Sequence, residues 1–577
     1  MRRPFILLAL ALLAGCATTR VAERTAAPVD VHVVALNDFH GALEPPKLAI
    51  AAGDARVPAG GAAYLASAVA RLKAAHPNHI VVSAGDLTSA SPFVSSQFLD
   101  EPTVAAMNLI GLDLNAVGNH EFDRGPAELK RLQEGGCAKH TVREPCRVDR
   151  RFDGARFRYL AANVRTPGGD TLFPATALRR FGKGRHAVTV GFIGLTLKTT
   201  PTLVVPSAVA SLTFEDEATT INALVPSLRA KGADAIVVLI HQGLATKVGY
   251  DDKSCGGVSG DLLPILSRLD PAVDLIVSGH THNAYICDYA RIDPARPFLV
   301  TSAGKYGTLL TDIALSIDPV RHRVVARRAD NVIVQGVGFE GAAGAVPVQS
   351  RFPVYPAEPR VSALMARYVA AADPIARRVV GRLSAPALRE SNAAGESVLG
   401  DLVADALRAG AGAEIAFMNS GGLRADLVPG PGGAVTYGQL YAVMPFANAL
   451  QVKGLTGRQV RAVLEQQFAS GTNTVADPNM LMPSRGLSYR YDLTRPEGQR
   501  ILDLRLDGAA VADERVYRVG ISNFLATGGD NFTAFAQGAD LPGGTEDLDA
   551  LERYVAAAGT LTPPAADRIV RIDAVRR

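Results

Sequence analysis

The 577-residue sequence predicts two α/β regions joined by a connecting segment. Three features point there. From Val31 to about residue 340, short apolar runs alternate with amphipathic stretches. Residues 337–360 are rich in Gly, Ala and Pro, the composition of a connection. A helix expected from Arg360 to about Ala372 should stop before Asp373-Pro374, and a second α/β pattern follows it to the C terminus.

Apolar residues make up 48% of the chain, so a packed core is expected rather than disorder. The formal charge of +4 is spread along the chain, which argues against a dedicated nucleic-acid binder with a concentrated basic face. No apolar run reaches the roughly 20 residues that span a bilayer.

Five apolar runs in the first region end alike. Val31–Leu36 leads into Asn37-Asp38-Phe39-His40, and Ile80–Ala84 into Gly85-Asp86. Leu114–Val117 leads into Gly118-Asn119-His120-Glu121, Ala235–Ile240 into His241-Gln242, and Leu275–Val277 into Ser278-Gly279-His280-Thr281-His282. Buried strands that each deliver polar groups at their C-terminal ends build a site along one edge of a sheet. Tyr64–Ala75 and Glu215–Ala230 read as helices between them.

Those ends offer carboxylates, imidazoles and one amide, without a thiolate. Such donors suit Zn, Mn, Fe or Mg, and eight candidate groups exceed the need of one tetrahedral ion. Asp-x-His or Gly-Asp alone marks an ordinary turn. Gly-His-Thr-His is more specific, because two imidazoles two residues apart on an extended segment share a face.

Taken together, Asp38-x-His40, Gly85-Asp86, Gly118-Asn119-His120-Glu121, His241 and Gly279-His280-Thr281-His282 resemble the calcineurin-like metallophosphoesterases. Within them the chain is similar to the bacterial and animal 5′-nucleotidases, including the periplasmic UDP-sugar hydrolases. The resemblance implies a sandwich of two sheets flanked by helices and two divalent ions, Zn, Mn or another. Asp38, His40 and His282 would hold the first ion, Asn119, His241 and His280 the second, and Asp86 would bridge. Some relatives carry Gln or Asn where His282 stands. The implied chemistry is attack on phosphorus by a bridging hydroxide, with His120 protonating the leaving group and Asp123 orienting the ring. The alternative reading of Asp123 is a cap on the helix beginning near Pro126.

The second region contains Gly395-Glu396-Ser397-Val398-Leu399-Gly400-Asp401, Asn419-Ser420-Gly421-Gly422-Leu423-Arg424, Met444-Pro445-Phe446 and Asn523-Phe524-Leu525-Ala526-Thr527-Gly528-Gly529-Asp530. Leu399, Leu402, Val403, Ala406 and Leu407 lie on one face of a helix near Ser397–Arg408. None of the glycine loops fits a Walker A or dinucleotide fingerprint. Together they resemble the C-terminal domain of the same 5′-nucleotidases. That implies Phe446 and Phe524 sandwiching a base, Asp530 accepting from ribose hydroxyls, and Asn419 and Arg424 holding phosphate or neighbouring polar groups. Ala393 and Ala394 replace an arginine of some relatives, and Arg389 is the nearest substitute. The family also implies that the C-terminal domain rotates to carry substrate to the ions, with a hinge near 337–360.

At the N terminus, Arg2 and Arg3 precede the apolar run Phe5 to Leu13, and Leu13-Ala14-Gly15-Cys16 resembles the lipobox of bacterial lipoproteins. Residues 1–15 are then a signal peptide, Cys16 is lipidated, and 16–29 form a tether. The expected location is the outer membrane, facing the periplasm. Four cysteines remain, an even number that points to two disulfides in an exported chain. Three pairings are open, the local ones being Cys137 with Cys146 and Cys255 with Cys287.

The expected divisions are 30–340 for the metallophosphoesterase domain, 341–376 for the linker and connecting helix, and 377–577 for the nucleotide-binding domain. The expected activity is hydrolysis of nucleoside 5′-phosphates. Cleavage of a pyrophosphate bond, as in UDP-sugars or NAD, is the alternative. A thiosulfate-ester hydrolase leaves the paired phenylalanines without a purpose. An inactive nucleotide-binding surface lipoprotein should have lost ligands that this sequence keeps.

Overall fold

The computed structural model describes residues 26–573 apart from 142, 342, 343, 447, 543 and 544; Cys16, the expected signal peptide and most of the tether lie outside these. Two six-stranded sheets form the N-terminal half. The first runs Arg323–Ile333, Leu309–Asp318, Val29–Leu36, His79–Ser83, Leu114–Ala116, Arg158–Leu160. The second runs Ala284–Asp288, Leu299–Ala303, Leu275–Ser278, Ala235–Ile240, Val188–Leu195, Thr176–Phe181.

Strand alternation decides what each sheet faces. Val31, Val33 and Ala35 pack with Val237, Leu239 and Val277 between the sheets. Val34 and Leu36 point the other way, into a core shared with Leu65 and Val69 of the helix Ala62–Ala75. Ile236, Val238 and Ile240 meet Ile221, Val225 and Leu228 of the helix Glu217–Ala230. With both faces covered, central strands read as unbroken apolar runs.

Within each sheet the central strands are parallel, so their C-terminal ends share a side. The sequence placed five such ends along one sheet. The structure divides them, three in the first sheet and two in the second, so the groups face one another across the sandwich edge.

The connecting helix departs from expectation. It spans Pro359–Ala376 and runs through Pro374. An internal proline costs a helix about 3 kcal/mol. Here it lies in the last turn, and Val361, Leu364, Tyr368 and Ala372 are buried along the helix. Burying apolar side chains of that size is worth about 1.5–3 kcal/mol each, which outweighs the local penalty.

The C-terminal half contains a five-stranded sheet in the order Leu481–Pro483, Ile415–Asn419, Val516–Ser522, Leu450–Thr456, Ala539–Leu541. The helix Val398–Ala411, capped by Ser397 Oγ on Gly400 N–H, buries Leu399, Leu402, Val403, Ala406 and Leu407. Disulfides join Cys137 to Cys146 and Cys255 to Cys287.

A buried charge cluster ties that helix to the C-terminal strand. Arg568 donates to both carboxylate oxygens of Asp405 at 2.9 Å, and Glu396 accepts from the backbone N–H groups of Arg568 and Ile569. Asp401 is buried alongside, 3.6 Å from Arg568 Nε. Burial pushes its carboxyl up to about 9, opposed by Arg568 and reinforced by Glu396. A folded-state value above the unfolded one means that the folded protein holds the extra proton. The stability from this group is therefore full below about pH 4 and is lost as pH rises toward about 9. Asp401→Asn should gain stability relative to the wild type as pH rises from 5 to 9. Denaturation midpoints of both proteins across that range check this, and a constant difference would contradict it.

Candidate active site

Glycines open the space for the polar groups. A Cβ on Gly118 would stand 2.1 Å from Asp86 Oδ1, and one on Gly279 3.0 Å from Asp38 Oδ2. Gly85 has φ +91, and its Cβ would meet the Gly118 backbone at 2.7 Å. The Gly in each of Gly-Asp, Gly-Asn-His-Glu and Gly-His-Thr-His is thus a steric requirement. Asp38, His40, Asp86, His280 and His282 also adopt left-handed backbone, with φ between 46° and 72°. Such conformations cost on the order of 1–3 kcal/mol each and persist where the surroundings over-determine them.

The determinants are visible. Asn37 Nδ2 donates to Asp38 Oδ2 (2.6 Å) and to Gly304 O (2.7 Å), while Asn37 Oδ1 accepts from Ala303 N–H. Asp38 accepts His280 N–H at 3.0 and 3.1 Å, joining strand ends from the two sheets. Glu121 is buried and accepts from the backbone N–H groups of Asp86 (2.9 Å), Leu87 (2.8 Å), Thr88 (3.2 Å) and Gly118 (2.6 Å). Asn37 and Glu121 were visible in the sequence beside the candidate ligands, but nothing local gave them roles.

Two groups of side chains offer converging ligand atoms: Asp38, His40 and His282, and Asp86, His241 and His280. His40 Nδ1 lies 3.0 Å from Ser89 O, and His241 Nδ1 lies 2.7 Å from Ala84 O. Each Nδ1 donates to a carbonyl, so each ring turns its Nε2 inward. His40 Nε2 then faces His282 Nε2 at 3.1 Å. His241 Nε2 lies 2.9 Å from Asp86 Oδ2, yet it is buried and makes no hydrogen bond. The same Asp86 oxygen lies 3.6 Å from His40 Nε2, between the groups. His280 Nδ1 is 3.1 Å from Asn119 Oδ1. Lone pairs facing lone pairs in a buried cluster fit a cation.

Against the lowering effect of burial, Asp86 and Asp38 raise the His241 imidazole to about 9, so two buried carboxylates draw positive charge to this place; the other three rings shift the opposite way. Burial pushes the His40 and His280 imidazoles down to about 3, which keeps them in the neutral ligand form, and lowers His282 too. Burial pushes the Asp38 carboxyl up to about 7, as for an anion short of positive charge. A third group, His32, His76 and Asp312, lies on the middle of strand Val29–Leu36, away from Asp38 beyond its C-terminal end, with His32 Nδ1 2.8 Å from Asp312 Oδ1.

His120 points elsewhere. Its Nδ1 lies 2.8 Å from Asp123 Oδ2, and its backbone N–H donates to Asp86 Oδ1 at 2.9 Å. Against the lowering effect of burial, Asp123 and Asp86 raise the imidazole above its usual value. The following helix, Gly125–Glu134, begins after Arg124 without a side-chain cap, so Asp123 serves His120 instead.

From the other half, the Phe446 ring stacks at 5.8 Å and 17° on His120, and Arg424 Cζ lies 5.9 Å from the Phe446 centroid. Asn419, at the end of strand Ile415–Asn419, donates to Asp530 Oδ2 at 2.7 Å. A cavity of about 300 Å³ lies between the halves, lined by Asn119, His120, Asp123 and His280 on one side. Asn419, Arg424, Phe446, Phe524 and Asp530 line the other. Arg389 stands behind Arg424, donating from Nη1 to its carbonyl oxygen at 3.2 Å, and does not line the cavity. Arg124, Asn448 and the segment Leu203, Val204, Val205 also line it. Sequence reading passed over these because they belong to no motif and reach the cavity only through tertiary packing.

A double sheet with two His/Asp groups at its strand ends, beside a cavity with aromatic and cationic walls, defines a phosphoesterase hydrolase. Residues 31–284 match the model of the calcineurin-like phosphoesterases, and residues 379–537 that of the 5′-nucleotidase C-terminal domain. The chain belongs to the 5′-nucleotidase family, in which these two domains occur together. Calcineurin-like metallophosphoesterases use divalent metals, and the two groups here are the candidates for holding them.

Endonuclease YhcR of Bacillus subtilis (strain 168) is 29% identical over 92% of this chain, which spans 40% of that protein. Cell wall protein Lmo0130 of Listeria monocytogenes is 30% identical over 90% of the chain, which spans 66% of that protein. The crystal structure of a 5′-nucleotidase precursor from Thermus thermophilus superimposes with a TM-score of 0.72 at 26% identity, covering 94% of this chain and all of that one.

Proposed function

We propose that this protein hydrolyses nucleoside 5′-phosphates to nucleoside and phosphate. The observation that carries the reading is the shared cavity, in which Asn119, His120 and His280 of one half, at the edge of the His/Asp groups, face Phe446, Phe524, Asp530 and Arg424 of the other. Asp38, His40 and His282 would hold one divalent ion, Asn119, His241 and His280 a second, with Asp86 between them. Ions bound there supply positive charge for the phosphate and lower the pKa of water, giving a nucleophile near neutral pH. His120, oriented by Asp123, gives a proton to the leaving 5′ oxygen. Phe446 and Phe524 hold the base, Asp530 accepts from the ribose hydroxyls, and Arg424 and Asn419 hold phosphate and polar edges. Arg389 adds charge from behind Arg424.

The domain limits given above, and a periplasm-facing lipoprotein anchored through Cys16, complete the proposal. Two relatives, a cell wall protein and a nucleotidase precursor by name, support export.

The test is hydrolysis by the full-length chain in detergent, with Mn or Zn or with chelator, read as phosphate released from AMP, as the two monophosphate products of UDP-glucose and of NAD, and as p-nitrophenol released from bis-p-nitrophenyl phosphate. The diester is included because one relative is an endonuclease by name. Release from AMP that requires metal supports the proposal. Cleavage of UDP-glucose or NAD with poor AMP turnover would move it to a pyrophosphatase, and no turnover despite bound metal would overturn it.

Base stacking on an aromatic ring is worth about 1–3 kcal/mol. Phe446→Ala should therefore raise KM for AMP by about 5–150-fold while leaving bis-p-nitrophenyl phosphate turnover within about threefold. Steady-state kinetics on the two substrates check this.

A further inference from the structure

The end of the N-terminal half away from the site is the end at which its parallel strands begin. Strand Val29–Leu36 runs about 25 Å from this end toward Asp38 and His40, and Ala235–Ile240 runs the same way toward His241. Four segments meet here. Residues 28–30 lead into the first of these strands, and 231–234 into the second. Residues 182–187 join Thr176–Phe181 to Val188–Leu195, and 318–323 turn the chain from Leu309–Asp318 into Arg323–Ile333. Gly182 N–H donates to Asn78 Oδ1, and Asn78 Nδ2 donates to Asp30 O. Asp234 accepts from Thr189 N–H and lies 2.6 Å from His322 Nδ1. These contacts tie the starts of both sheets into one surface.

That surface is basic. Lys183, Arg185, Lys231 and Arg323 are exposed, and none of the four forms an ion pair among the described residues. The carboxylates beside them are turned inward. Asp234 and Asp318 are buried, the second accepting from the backbone N–H groups of Val320 and Arg321. Asp30 is the one exposed carboxylate in the four segments, and it accepts from Ser316 Oγ. Val320 stands 42% exposed in the same turn as Arg323. Long basic side chains around an exposed apolar tip suit a lipid headgroup layer, where the charges meet phosphates and the tip enters the interface.

We propose that this end of the molecule rests on a membrane surface carrying anionic headgroups, with Lys183, Arg185, Lys231 and Arg323 against the phosphates and Val320 in the headgroup layer. This rests on the reading above that the chain is anchored through Cys16. Nine residues separate Cys16 from Ala26, so the connection reaches at most about 35 Å. The anchor thus keeps the basic end near the bilayer, and attraction takes hold once the two come within about 8–10 Å at physiological salt. Docked in this way, the strand ends that carry Asp38, Asp86 and His241 face away from the membrane, toward soluble substrate.

The chain has no tryptophan, so a single introduced one reports its own surroundings. The experiment reconstitutes full-length Val320→Trp and Val475→Trp in vesicles of phosphatidylethanolamine and phosphatidylglycerol, and in vesicles of phosphatidylcholine alone, with brominated lipid chains as quencher. Val475 is 40% exposed and reports the site end, near Asn473, whose Nδ2 donates to Asp530 O. In the anionic vesicles Val320→Trp should be quenched and Val475→Trp should not. High salt, neutral lipid, and the triple change Lys183→Glu, Arg185→Glu, Arg323→Glu should each abolish that quenching. The triple variant should lose about 100-fold or more in affinity for anionic vesicles while its AMP turnover and thermal midpoint stay as in the wild type. Three results would overturn the inference: a protein that floats with the vesicles while Val320→Trp stays unquenched, equal quenching in phosphatidylcholine, or quenching of Val475→Trp instead. Failure of the anchor reading would register separately, as Cys16 without acyl chains by mass spectrometry. Salt-sensitive binding of that chain to the anionic vesicles would still uphold the basic surface, and its absence would overturn it.

Discussion

Asp86→Asn should lower kcat/KM for AMP by at least about 10³-fold and reduce the bound divalent metal. That exceeds the roughly 10–100-fold typical of losing a residue that only supports a metal ligand. The expectation follows from position: Asp86 Oδ2 lies 2.9 Å from His241 Nε2 and 3.6 Å from His40 Nε2, so one oxygen serves both groups. Its other oxygen accepts His120 N–H, which fixes the neighbouring catalytic candidate. Asparagine keeps the shape and removes the charge, so folding should persist, and a thermal midpoint close to wild type would show that. Metal content by elemental analysis, read with phosphate release, decides the matter. A variant that keeps both its metal and its activity would remove Asp86 from the site.

The second large effect belongs to His120. His120→Ala should lower kcat on AMP by about 10²–10⁴-fold, the usual contribution of a positioned general acid. The loss should be clearly smaller on p-nitrophenyl phosphate, whose phenolate leaves without needing a proton. Asp123→Asn should produce the same pattern more weakly, because the 2.8 Å contact to Nδ1 orients the ring without touching substrate. Equal losses on the two substrates would mean that His120 stabilises charge on the phosphate rather than protonating the leaving group.

The candidate site was legible because its polar groups sit immediately after buried strands. An apolar run of five or six residues followed by Gly-Asp or Asn-His marks both the strand and the polar end that it delivers. Glycines preceding the candidate ligands were legible as residues but not as causes. Only the 2.1 Å approach of a Gly118 Cβ to Asp86 explains why that glycine is there. The connecting helix misled in the opposite way. Asp373-Pro374 is a sound local stop, but an apolar face buried along the helix carried it one turn further.

By itself, the sequence determined the α/β class, the donors at the five strand ends and the aromatic and cationic residues of the C-terminal half. Each is a matter of residue type and short-range spacing. Tertiary structure alone decided that the donors form two groups, each drawn from both sheets, and that Glu121 holds the Asp86 loop through four backbone N–H groups. The physical reason is distance along the chain. His40 lies 242 positions from His282, so no local pattern encodes their meeting. Only the packing of one sheet on the other, and of one half on the other, brings such groups within reach.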